Sequence, residues 1–191
     1  MSEGYMAKNY SVFHVEEPFN ELSAGAMAQK DYFYYNQLRT WKFKDELFPF
    51  NDLHVKKYDV RDGSDWDTVL KPRIKQRLDQ ADNIILILSE NTFQSRCLKA
   101  ELEYGIGHLK LPVIVIYADI TDKKHMKVEG KKDMSFKVHY FLNKLPVFKQ
   151  LKSQVPVLHV PLDKEMVAKA LKKNNFVKNT HLQPNNYMLN D

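Results

Sequence analysis

Glycine is scarce in this chain, six in 191 residues, and cysteine occurs once, at Cys97. The first argues against a Gly-rich linker protein and against a sandwich built on many tight Gly turns. The second excludes an intrachain disulfide and fits a reducing compartment. Apolar runs such as Ile84 to Leu88 fall far short of the roughly 20 residues needed to cross a bilayer. The opening residues MSEGYMAKNY lack the apolar stretch of a secretory leader. A cytoplasmic protein without a membrane partner is therefore expected.

Dense charge is lacking too. The net charge is +5, but the lysines are spread in pairs such as Lys56-Lys57, Lys123-Lys124 and Lys172-Lys173. That pattern reads as a solvated, mildly basic surface, and no nucleic-acid partner is expected. There is no P-loop, no G-x-G-x-x-G after a strand and no G-x-S-x-G elbow; the pair Gly105 and Gly107 ends a helical pattern instead. The seven histidines form no H-E-x-x-H and do not pair with the cysteine, so no metal site is expected.

What is present is an alternation of β-prone and helical stretches. Tyr10 to Val15 reads as a first strand and Lys30 to Phe43 as a helix, with Tyr32, Tyr35, Leu38 and Trp41 at helical spacing. Asp31 falls near that helix's start, where a negative charge complements the dipole. His54 to Tyr58 reads as a second strand, 61–66 as a turn-rich loop, and Thr68 to Gln80 as a surface helix. Asn83 to Leu88 is apolar on both faces, as a central strand of a parallel sheet must be. A helix from about Ser95 to Gly107 follows, with Gly107 as its C-terminal cap, then a strand over Leu111 to Tyr117. Residues 119–153 form an irregular, charged insert with a helix near Val138 to Leu145; Val155 to Val160 is the last strand and Lys164 to Lys172 the last helix. One α/β domain over 1–175 is expected, a central parallel sheet flanked by helices, followed by a loose polar C-terminal tail over 176–191.

In such sheets ligands bind beyond the carboxyl ends of the strands. That rule singles out His14 to Glu17, Asp59 to Trp66, Ser89 to Thr92 (with Asn91) and Asp119 to Thr121. Glu101 lies on the helix after the central strand and shares a face with Cys97, four residues before it. Across the cleft, Asp59, Arg61 and Trp66 offer a carboxylate, a cation and an aromatic plate, a set that can hold a ribose and stack a planar base. The blander alternatives stand beside these readings. A helical glutamate is more often solvated than functional, a cysteine such as Cys97 is most often a buried small hydrophobe, and Trp66 also reads as a loop anchor.

Three segments in order carry a resemblance: Tyr58 to Asp67, Asn83 to Thr92, and Arg96 to Leu102. Together with the aromatic helix Tyr32 to Trp41 they are similar to the TIR-like proteins of bacterial Thoeris anti-phage defence, over roughly Tyr10 to Ala118. The resemblance implies a flavodoxin-like TIR fold. It also implies an enzyme that cleaves the nicotinamide–ribose bond of NAD and makes an ADP-ribose-derived messenger, NAD being substrate and no cofactor tightly bound. The family's essential glutamate falls on Glu101, and the acidic residue ending its second strand on Asp59. Implied partners are a phage-derived trigger, an effector protein reached through the messenger, and further copies of the chain. The chain departs from the pattern in two places. Cys97, which follows Arg96, precedes Glu101 by four residues, where TIR domains commonly place the Cys of Trp-Cys three before the glutamate. The first strand also lacks the Ser-Tyr ending, which leaves Phe13 or His14 to face the ligand. Two other functions compete: a non-catalytic interaction module, and a nucleoside-processing glycosidase on a related fold.

Overall fold

Alternating apolar residues build a two-faced sheet. In the computed structural model of the chain, residues 6–14, 31–55, 65–131 and 133–189 are described. Five strands, β1 (Asn9–Val12), β2 (Asn83–Leu88), β3 (Val113–Tyr117), β4 (Val157–Pro161) and β5 (Asn186–Met188), lie in that order, every neighbouring pair parallel. Tyr10, Leu86, Val115 and Val157 face one side of the sheet, where α2 (Lys71–Leu78), α3 (Arg96–Leu102), α4 (Phe136–Asn143) and α5 (Pro146–Leu151) cover them. Ile85, Ile87, Ile114 and Leu158 face the other, under α1 (Tyr32–Lys44) and α6 (Lys164–Leu171). β2 and β3 are buried along their whole length, which is why their sequences read as continuous apolar runs.

The crossovers decide where a site can form. After α1 the chain reaches the free edge of β1, where Asp52 makes a single parallel bridge to Asn9. It then passes through α2 to β2, on the other side of β1. Successive connections thus leave β1 in opposite directions, a flavodoxin-like arrangement with its switch point at the carboxyl ends of β1 and β2.

Several expectations are corrected. Leu53–Val55 forms a 3-10 turn rather than the start of a second strand; residues 56–58 of that expected strand lie outside the described residues. The Asp52 carboxylate lies 3.2 Å from the His54 ring nitrogen two residues on, a contact that extended strand geometry, which spaces such residues far apart along the chain, does not favour. The helix begun by α3 does not stop at Gly107. It continues as a widened π-helical stretch over Glu103–His108, with Leu109 N bonding Tyr104 O, and Lys110 takes the left-handed conformation (φ 56°) that ends it. Gly105 is needed for close packing instead: a Cβ there would lie 2.5 Å from Ile84 Cδ1 and 3.2 Å from Leu78 Cδ2. The insert carries α4 and α5, whose Phe141 and Phe148 are fully buried.

The stretch expected as a loose tail is docked. Phe176 and Leu189 are buried, Asn83 Nδ2 donates to Phe176 O (2.9 Å), and β5 covers the edge of β4. Asn186 Oδ1 lies 3.0 Å from His159 Nε2, and Tyr117 Oη 2.8 Å from His159 Nδ1. Burial pushes the His159 imidazole down to about 4, so it is neutral at pH 7.

Candidate active site

Two polar groupings form around the ends of β1 and β2. The first is built on Asp31, at the N-terminus of α1. Its carboxylate makes no cap bond to its own helix. It reaches instead across the switch point, accepting from the hydroxyls of Ser89 and Thr92 and from His14 N (3.2 Å). Asp31 N donates back to His14 O (3.2 Å), and Asn91 N to Ser89 Oγ (3.0 Å). One buried carboxylate therefore ties together the end of β1, the loop after β2 and the start of α1. Burial raises its pKa to about 6, against the lowering effect of those hydrogen bonds, and the nearby Asp119 adds to the rise. Asp119 itself accepts from Tyr34 Oη (3.1 Å) and Glu90 N (2.7 Å).

The second grouping is built on Glu101. Ser95 caps α3, its Oγ accepting from Leu98 N (3.2 Å). Leu98 and Leu102 enter the core, and Glu101 shares their stripe. Its carboxylate faces the sheet and the residue is only 7% exposed, whereas the other acid of this helical segment, Glu103, is exposed and pairs with Lys99 at 3.7 Å. Tyr10 Oη, from the interior of β1, donates to Glu101 Oε1 at 2.8 Å. The Tyr10 ring packs on His54 (centroids 4.7 Å apart). His54 Nδ1 lies 3.2 Å from Asp52 Oδ1, and Asp52 also accepts from Tyr35 Oη (2.6 Å) and Ser11 Oγ (3.1 Å). Burial pushes the Asp52 carboxyl up, but the bonds from His54, Tyr35 and Ser11 and the pull of the imidazole outweigh it, leaving the pKa below the usual value. Tyr35 is raised by burial and by Asp52. Phe13 stacks on Tyr35 (4.5 Å, 15°) and lies 6.1 Å from the His54 ring.

The sequence-predicted residues thus separate. Glu101 and Phe13 belong to the Tyr10–His54 grouping; His14, Ser89 and Asn91 belong to the Asp31 grouping. His14 is buried, its ring 3.6 Å from that of Phe93. Cys97 is half-buried and packs against the core. Trp66 lies elsewhere, in a groove of about 670 Å³ between α2 and α3, with the Arg96 guanidinium over its ring at 4.4 Å. Glu103, Tyr104 and Lys71 line that groove and Glu101 does not, so this groove lies on the solvent side of α3, away from the buried carboxylate. Asp59 and Arg61 lie outside the described residues. Sequence reasoning missed Tyr10, Asp52 and His54 as site residues and saw Asp31 only as a dipole partner. No spacing signals a contact such as Tyr10–Glu101, across 91 residues.

A five-stranded parallel sheet with its switch point beside the first strand, and a carboxylate held on the helix after the second, defines a flavodoxin-like α/β domain of TIR type. The family model described as Thoeris protein ThsB, TIR-like domain, matches residues 10–123, more than half of the chain. The chain belongs to this Thoeris TIR-like family. Among the described residues no helix is long and apolar enough to cross a membrane.

Proposed function

We propose that the chain is a defence enzyme that consumes NAD, cleaving the nicotinamide–ribose bond and forming an ADP-ribose-derived, cyclic signalling nucleotide. The observation that carries this reading is Glu101: a buried glutamate on α3 that accepts a hydrogen bond from Tyr10 of β1, in a TIR-like domain. Nicotinamide departs as a neutral molecule from a cationic ring, so the bond to C1′ breaks without a strong acid. Positive charge develops on the sugar, and a carboxylate fixed beside it stabilises that charge. A hydroxyl of the same molecule then bonds to C1′, its proton leaving to a carboxylate or to water, and the ring closes. Orientation of that hydroxyl and exclusion of water decide between cyclisation and hydrolysis. Because Glu101 is only 7% exposed, access to it is the step that a phage-derived trigger, or assembly of several copies, would control. The product, rather than the chain itself, would act on the effector.

The test is nicotinamide release from NAD, with all products followed by mass, for the wild type and Glu101→Ala, on purified protein and in lysate of phage-infected cells. Product from the wild type alone supports the enzyme. Silence of both under infection favours an interaction module, a reading that the outward-facing Phe43, Leu47 and Phe136, each more than 80% exposed, also support. That module should assemble with concentration in sedimentation. Turnover of nucleosides lacking a pyrophosphate would instead favour the glycosidase.

A further inference from the structure

We infer that Tyr10 is the positioning residue for Glu101, and that it is held in turn from the far edge of β1 by His54 and Asp52. This rests on the reading of Glu101 as the catalytic carboxylate. Three observations carry it. Tyr10 is fully buried and Glu101 nearly so, and a buried phenol donating to a buried carboxylate at 2.8 Å satisfies both. The phenol sits on β1, buried along its length and paired with β2 in a fixed register, Tyr10 opposite Ile84, so its oxygen is a rigid point of reference for a side chain on α3. The ring is also supported on its outer side: His54 packs against it, and Asp52 orients the imidazole while being anchored by Ser11 of β1 and Tyr35 of α1.

The chemistry that follows is specific. Donation from the phenol favours the ionised carboxylate, the form needed beside a developing sugar cation. It also fixes the rotamer of Glu101, and a carboxylate misplaced by about 1 Å loses roughly 100-fold in rate. Tyr10 needs no contact with substrate to act in this way. A change that moves residues 52–54 would be felt at Glu101 through His54 and Tyr10.

The test pairs kinetics with a direct view of the carboxyl group. Tyr10→Phe keeps the ring and removes only the hydroxyl. It is expected to lower kcat for nicotinamide release about 10- to 100-fold with KM within about twofold, and to raise the midpoint of the Glu101 carboxyl carbon titration followed by NMR. Glu101→Gln assigns that resonance. A second variant guards against misfolding: difluorotyrosine at position 10 makes a stronger donor of the same shape and should move the titration the opposite way. If wild type turns over NAD and both variants match it in kcat and in carboxyl titration, the inference is overturned and the enzyme reading survives. If wild type and Glu101→Gln are equally inactive under infection, the enzyme reading falls and the positioning role falls with it, even where the titration moves.

Discussion

Asp31 and Ser89, 58 residues apart in sequence, are joined by a hydrogen bond from the seryl hydroxyl to the aspartate Oδ1. Through it, and through Thr92 Oγ1 and His14 N on Oδ2, one carboxylate closes the carboxyl ends of β1 and β2 over the switch point. The fully buried Asp31 is held at about 6, raised first by burial.

The sign of its effect on stability is fixed. A carboxyl raised from 3.8 to about 6 binds more protons folded than unfolded, so its contribution is fully present at acid pH and is lost as pH rises to about 6. The wild type minus Asp31→Asn difference in urea stability should fall by an amount on the order of 2–3 kcal/mol across that window and be flat above it. A difference independent of pH would show that Asp31 ionises normally.

Asp52 should behave oppositely. Its net pKa is lowered, so its contribution is present above the unfolded value of 3.8 and lost as pH falls through the lower folded value. Asp52→Asn weakens the bonds to Tyr35, Ser11 and His54 and should cost about 1–3 kcal/mol at pH 7. The cost should shrink at acid pH in the same titration.

Gly105→Ala should destabilise the domain by about 1–3 kcal/mol, because the new Cβ would lie 2.5 Å from Cδ1 of the fully buried Ile84, which must shift within the core to admit it. Gly107→Ala is the control. Its Cβ would meet only Leu151 Cδ2 at 3.7 Å, an ordinary contact, so thermal melts should separate the two variants.

Removal of residues 174–191 should lower stability by roughly 3–5 kcal/mol, since the buried Phe176 and Leu189 are each worth about 1.5–3 kcal/mol. It also uncovers the edge of β4 and the His159–Asn186 bond. Melting temperature and protease resistance report the loss; an unchanged melt would restore the view of this stretch as a tail.

By itself the sequence determined which segments become the central elements. β2 spans the expected Asn83–Leu88 and β3 falls within Leu111–Tyr117, because a strand buried on both faces must be apolar throughout. α1 follows its aromatic spacing, and the order of elements, with the Glu101 segment, marked the family. Tertiary structure decided the rest. β5 is three polar and mixed residues with no period of their own, and it exists because β4 offers an edge and the core accepts Phe176 and Leu189. Asp52 is held beside β1 by Ser11, Tyr35 and His54, and the chain turns at 53–55 where local pattern alone read the start of a strand. The pairing of Glu101 with Tyr10, and of Asp31 with Ser89, joins residues 91 and 58 positions apart. Periodicity records which side of an element is buried. It carries no record of which polar group meets which inside, because that depends on how the separate elements are set against one another.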